Sequence, residues 1–353
     1  MRAEQERGHD ADGRARGWAG LVRALGIGCD RRGATGGRRF GAVRAVGVVR
    51  FGGPEALTVV DVPDEPLGPG QVRLRVRATA VSPTDTHLRE GAYAGRDPVT
   101  TPPWVPGMDA AGEVVEVGED VDRVRVGDAV MAVVVPTGAH GGYREDLVLP
   151  QGSVARVPAG TDAVAACTLP MNGLTARLAL DHLALPPGSV LAVTGAAGAF
   201  GGYVVQLAKA DGHTVVADAS EADEQLVRDL GADVVVRRGD DVAERIRAEF
   251  PGGVDGLADG SVQDALVLPA VRDGGKVATV RGYRGDGSGR VEVFPTRVRD
   301  YAENGAALDR LREQVESGAL TLRVARTFAP EEAPEAHRAL ARGGVRGRLV
   351  ITF

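Results

Sequence analysis

The chain has 353 residues, a hydrophobic fraction of 43%, a charged fraction of 25% and a formal net charge of −6 at pH 7. This length holds two domains with real cores, and the acidic balance without a basic stripe excludes a dedicated nucleic-acid binder. No apolar run approaches the ~18–20 residues of a membrane-spanning helix, so no membrane insertion is expected.

Residues 1–42 carry nine arginines, many glycines and almost no periodic apolar pattern, which predicts a disordered extension. Trp18–Gly28 is too short, and is interrupted by Arg23, for a signal segment. A natural start near Val43 is expected, because VRAVGVVRFGGPEALTVVDVP reads as the opening of a folded protein. Gln71–Val81 alternates: Val72, Leu74, Val76 and Ala78 face one way and Arg73, Arg75 and Arg77 the other. That predicts a half-exposed antiparallel strand with a solvated arginine row. Pro102-Pro103 and Pro106-Gly107 mark loops, and Glu113–Val117 and Asp128–Val135 read as further strands. The first half is therefore a β-rich domain.

Ser189–Gly212, SVLAVTGAAGAFGGYVVQLAKADG, changes the pattern. Val190–Val193 reads as a buried parallel strand, broken at Gly195, with glycines again at Gly198 and Gly201. Val204, Val205, Leu207 and Ala208 follow at helical spacing, and Gly212 supplies a stop. Strand, glycine turn and helix in that order suit a diphosphate, which free N–H groups at a helix start can bind at close range. A tight turn opening an ordinary helix is the plainer reading of the same residues. Thr214–Ala217 then gives a strand ending at Asp218, where a carboxylate can hold a ribose 2′-hydroxyl.

Further units follow: a helix over Glu221–Leu230, a strand over Asp233–Val236, a helix over Asp241–Phe250, and strands over Val254–Ala258 and Lys276–Val280. Such alternation predicts a doubly wound parallel sheet of the Rossmann type. A glycine-rich loop, Gly282–Gly289, a helix around Ala306–Glu316 and a strand at Arg348–Phe353 close the chain. Cys29 and Cys167 form no metal-type spacing and point to a reducing, cytoplasmic setting.

Several blocks in order carry a resemblance over about Val43–Phe353: RFGGPEALTVVDVP (50–63), SPTDTHLREGAY (82–93), PPWVPGMDAAGEV (102–114), GGYREDLVLP (141–150), LPMNGLTARLAL (169–180), VTGAAGAFGGYVVQLAK (193–209), and PEAHRAL with RGRLV (334–350). The chain resembles the zinc-free quinone oxidoreductase branch of the medium-chain dehydrogenase/reductase superfamily. The resemblance implies a GroES-like β-rich catalytic domain (43–165), a Rossmann doubly wound domain (166–294) and a return to the catalytic domain (295–353). It also implies a homodimer, with NADH or NADPH in the cleft. Zinc-dependent relatives carry Cys, His-Glu and Cys where this chain has Ser82, Met108-Asp109 and about Thr168. Asp109 alone cannot make a zinc set, so no metal is expected. Cys167, beside the third position, is read as a small buried residue.

Without a metal, hydride delivery suits an already polarised acceptor, a quinone or an α,β-unsaturated carbonyl. Ser82 and Tyr93 are the candidates to bind or protonate its oxygen. Asp85 and Arg89 are expected to form a salt bridge that shapes their loop, and Tyr143 to pack. The resemblance places Asn172 and Thr175 near the nicotinamide, and Gly195, Gly198, Ala199, Phe200 and Gly201 at the diphosphate. Asp259 would border the cleft. Arg342 would meet the diphosphate from the C-terminal segment, or else end a solvated helix. No Lys or Arg lies between Asp218 and Gln225, which favours NADH; the alternative leaves a 2′-phosphate to Arg281 or Arg284. Enoyl-thioester reduction, or a sensor that binds NAD(P)H without turnover, are the competing functions.

Overall fold

The computed structural model describes residues 41–95 and 101–353. The expected extension, residues 1–42, lies outside the described residues except for Gly41 and Ala42.

The chain opens with a hairpin, β1 (Ala42–Val48) and β2 (Leu57–Pro63). It continues through β3 (Gln71–Val81), α1 (Pro83–Arg89), β4 (Asp109–Val117), β5 (Ala129–Val133), β6 (Asp146–Pro150), β7 (Val154–Arg156) and the single turn α2 (Ala163–Ala166). The long α3 (Pro170–Leu183) leads into β8 (Val190–Thr194), α4 (Ala199–Ala210), β9 (Thr214–Ala219), α5 (Glu224–Asp229), β10 (Val234–Arg237), α6 (Val242–Glu249), β11 (Val254–Asp259), β12 (Val271–Thr279) and β13 (Glu292–Pro295). Last come α7 (Gly305–Glu316), β14 (Val324–Phe328), α8 (Ala333–Arg342) and β15 (Arg348–Thr352).

Two larger sheets organise these elements. The parallel one runs β10-β9-β8-β11-β12-β13, which in chain order is 3-2-1-4-5-6. The strand order reverses between β8 and β11, and in open parallel sheets a ligand crevice forms at that point, beyond the strands' carboxyl ends. The other sheet runs β14-β15-β3-β4-β5-β7, with β6 added to β3. The C-terminal β15 pairs antiparallel with the end of β3, Leu349 opposite Val81. The chain's last strand is thereby fixed beside Ser82.

The β3 alternation holds for the apolar face, since Val72, Leu74, Val76 and Ala78 are all buried. The arginine row is corrected at Arg73, which is buried while Arg75 and Arg77 are exposed. β4 and β6 flank β3 here, and the Asp64–Glu65 segment covers it. Arg73 donates to Asp64 (2.6 Å), Asp146 (2.8 Å) and Glu116 (3.0 Å), and to the Glu65 carbonyl (2.6 Å). A buried guanidinium persists because every face of it is met by an acceptor.

One apolar cluster spans the seam between the sheets, joining Ala78, Ala80, Met108 and Met131 to Leu169, Leu174, Leu191, Val204 and Leu311. Each buried leucine there contributes about 1.5–3 kcal/mol. α3 runs through this cluster, with Met171, Leu174, Ala176, Ala179, Leu180 and Leu183 all buried. A helix covered on most sides has no polar face, so its sequence carries little amphipathic period.

Candidate active site

The glycine turn lies where β8 hands over to α4. Gly195 has φ +66°, and a Cβ there would stand 2.9 Å from the Gly260 carbonyl carbon; one at Gly201 would collide with the Gly195 carbonyl. Side chains would fill this cradle, so its glycines leave backbone open to a diphosphate. Gly198 is the N-cap of α4, and Ala199, Phe200 and Gly201 form its first turn. The Phe200 ring lies against Gly260, where an added Cβ would come 2.9 Å from Cδ1.

Asp218, near the end of β9, is 4% exposed and accepts from the Ala196 N–H at 3.1 Å. Burial pushes its carboxyl above the usual range, while N–H groups of Ala196 and Gly195 pull it back. The carboxylate thus touches the turn itself and does not cap the next helix. Asp259, at the end of β11, faces inward. It accepts from Thr194 Oγ1 (2.7 Å), Ser261 N (3.2 Å), Ser261 Oγ (3.2 Å) and Asp264 N (2.8 Å). Instead of opening onto the cleft, it builds the loop after β11. Asn172 and Thr175 stand one helical turn apart in α3; Thr175 Oγ1 donates to the Met171 carbonyl at 2.6 Å.

Across the seam, Ser82 is fully buried as the N-cap of α1. Its N–H and Oγ both donate to Asp85 Oδ2, at 2.8 and 3.1 Å. The other oxygen of Asp85 accepts from Gly107 N at 2.9 Å. The expected Asp85–Arg89 salt bridge does not form. Arg89 turns to the Gly52 carbonyl, Glu90 and His337. Tyr143 is likewise more than packing: its hydroxyl donates to Asp85 Oδ2 at 3.1 Å and lies 3.3 Å from His337 Nε2.

The proton positions along this chain follow from donor chemistry. Arginine only donates, so His337 Nδ1, 3.4 Å from Arg89 Nη1, accepts and Nε2 carries the hydrogen toward Tyr143. Burial lifts Asp85 to about 6; burial and then the Arg89 charge hold His337 down to about 3. Tyr93, half-buried in the turn after α1, meets His87 edge-on with ring centroids 6.5 Å apart.

Asp109 and Thr168 are both buried near the start of α3. Asp109, wholly buried, accepts from Met171 N at 2.7 Å and from Arg348 Nη2 at 2.9 Å. Thr168 Oγ1 donates to the Ala165 carbonyl at 2.7 Å and lies 3.4 Å from the Tyr203 hydroxyl. Buried Cys167 donates its thiol hydrogen to the Val164 carbonyl.

Of the two readings of Arg342, the structure matches the solvated helix end. Arg342 is exposed and pairs with Glu335 at 2.8 Å on its own helix. The C-terminal guanidinium at the glycine turn is Arg323, which donates to the carbonyls of Ala197 (3.2 Å) and Gly198 (2.7 Å). Sequence reasoning assigned no role to His337, Arg346 or Arg348, although PEAHRAL and RGRLV marked their neighbourhood.

A β lobe closed on a Rossmann sheet, with a glycine turn at the seam, is the architecture of an alcohol-dehydrogenase-type oxidoreductase. The family Alcohol dehydrogenase GroES-like domain matches residues 68–159, and Zinc-binding dehydrogenase matches 230–351. Quinone oxidoreductase of Pseudomonas aeruginosa is 30% identical over 321 residues, 85% of this chain and 97% of that protein. A 2-haloacrylate reductase of Burkholderia sp is 31% identical over 332 residues, 88% and 98% of the two chains. The solved quinone oxidoreductase of Coxiella burnetii superposes with a TM-score of 0.78 at 26% identity, covering 89% of this chain and all of that one. The chain belongs to the medium-chain dehydrogenase/reductase superfamily, among its quinone oxidoreductases.

Proposed function

We propose that this protein is a zinc-independent NAD(P)H-dependent oxidoreductase that reduces a quinone or an α,β-unsaturated carbonyl. One observation carries the reading: the groups at the zinc-ligand positions are already committed within the protein. The Ser82 hydroxyl is held by Asp85, Asp109 by Arg348 and Met171 N, and Thr168 by the Ala165 carbonyl. Met108 adds a thioether, a poor zinc ligand beside thiolate, imidazole or carboxylate.

When bound, a reduced nicotinamide supplies the hydride. Gly195, Gly198, Ala199, Phe200 and Gly201 hold the diphosphate, Asn172 and Thr175 flank the nicotinamide, and Asp218 receives ribose hydroxyls, which favours NADH. Charge developing on the acceptor oxygen needs a hydrogen-bond donor. Because the Ser82 hydrogen points to Asp85, Ser82 orients the site and Tyr93 donates the proton. The names of the Pseudomonas and Burkholderia relatives support this acceptor class, since a haloacrylate is an α,β-unsaturated carboxylate.

The test is steady-state oxidation of NADH and NADPH against quinones, enones and an enoyl thioester, before and after chelation. Turnover of quinones or enones by chelated enzyme is the expected result. Turnover of the thioester alone would move the assignment to an enoyl-thioester reductase. Tight cofactor binding without turnover of any acceptor would make the protein a sensor.

A further inference from the structure

The edge where β14 and β15 begin carries three arginines. Val324 pairs with Arg348, and the Arg348 N–H donates to the Arg323 carbonyl at 2.8 Å, so these residues share one patch of backbone. From it, Arg348 reaches Asp109 and Arg346 forks onto Asp223, just before α5. Both are paired with carboxylates. Arg323 is not: among the described residues its guanidinium meets only the carbonyls of Ala197 and Gly198.

That placement is electrostatically odd. Arg323 lies against the first turn of α4, where the helix dipole is positive and cations are disfavoured. Burial opposes the charge, and the Arg346 charge adds repulsion. Gly202 lets the guanidinium lie close to the helix, since an added Cβ there would displace Arg323 Nη2. Beside it, Arg348 is 4% exposed and leaves Nη1 without a hydrogen-bond partner among the described residues. Carbonyl dipoles satisfy hydrogen bonds but provide no countercharge. The site is short of an anion.

We propose that Arg323 is a positioning residue for the cofactor's diphosphate, acting through the glycine turn. By holding the carbonyls of Ala197 and Gly198 on its own side, it turns the opposite amides of the glycine turn toward the ligand. Its uncompensated charge then attracts the cofactor's diphosphate. This inference rests on the nicotinamide-cofactor reading above and assigns within it the guanidinium that Arg342 does not supply.

The experiment is calorimetric titration of the full chain with NADH, ADP-ribose and adenosine, comparing wild type with Arg323→Gln and Arg323→Lys at low and high salt. Losing the charge behind the turn should weaken NADH and ADP-ribose about tenfold in Arg323→Gln. Lysine should recover part of the loss. Adenosine, which has no phosphate, should bind all three proteins alike, and the loss should shrink as salt screens the charge. Equal weakening of adenosine and ADP-ribose would overturn the proposal, because it would mean a damaged fold. Unchanged ADP-ribose binding in Arg323→Gln would overturn it as well. If the variant pattern appears but no acceptor is turned over, the reductase reading fails while the role of Arg323 stands. A wild type that binds neither NADH nor ADP-ribose would refute both.

Discussion

Replacing Asp109 by asparagine tests how the buried seam between the two sheets is held. The Asp109–Arg348 pair is 2.9 Å long, with both side chains nearly or wholly buried. At an effective dielectric near 20, two charges at that distance attract by about 6 kcal/mol. Desolvation of both ions cancels much of this, and burial keeps the Asp109 carboxyl above its usual range even beside Arg348. Removing one partner of such a pair leaves the other buried and unpaired, at a cost of about 3–5 kcal/mol. The asparagine amide oxygen would still accept from Met171 N, so the loss isolates the charge. At about 2–4 °C per kcal/mol, the melting temperature should fall by about 6–20 °C. Arg348→Met should do similar damage, whereas the double variant Asp109→Asn/Arg348→Met should regain at least half of the summed loss. Calorimetry of the four proteins closes the cycle. A single Asp109→Asn that melts within about 2 °C of wild type, or strictly additive losses, would refute the reasoning.

Three further outcomes are expected. Asp218→Ala should lower the ratio of kcat/KM for NADH over NADPH about tenfold, since the carboxylate touching the glycine turn repels a 2′-phosphate; a wild type that prefers NADPH and is unmoved by the change would show that Asp218 is misassigned. Chelation should leave activity intact, and metal analysis of active protein should find no stoichiometric zinc; zinc-restored activity would sink the metal-free reading. The acid limb of stability should respond to His337. Its depressed imidazole contributes stability present above the unfolded value of 6.5 and lost as pH falls through about 3. Asp85, raised from 3.8 to about 6, works oppositely: its contribution is full below 3.8 and gone above about 6. His337→Gln should therefore flatten the fall in melting temperature between pH 6.5 and about 3, and an unchanged slope would show that His337 is not the group responsible.

The glycine turn between β8 and α4 was legible because its determinants are local. An apolar run, the glycines at 195, 198 and 201 and a helical period lie within Ser189–Gly212, and β8, the turn and α4 fall there. The β3 alternation was legible for the same reason. The burial of Arg73 was not, because that depends on Asp64 and Asp146, which other parts of the chain bring to it. Asp85 and Arg89 were expected to pair with each other and shape their loop. Asp85 instead turned to Gly107 and Tyr143, and Arg89 to His337. Asp109 with Arg348 and Asp223 with Arg346 are separated by 239 and 123 residues. Local periodicity determined which segments became strands, turns and helices, since backbone hydrogen bonding and side-chain spacing act over a few residues. The choice of partner for each buried charge fell to tertiary structure. A charge taken from water needs whichever acceptor or counter-ion the packed lobes place beside it, and chain separation carries no record of that.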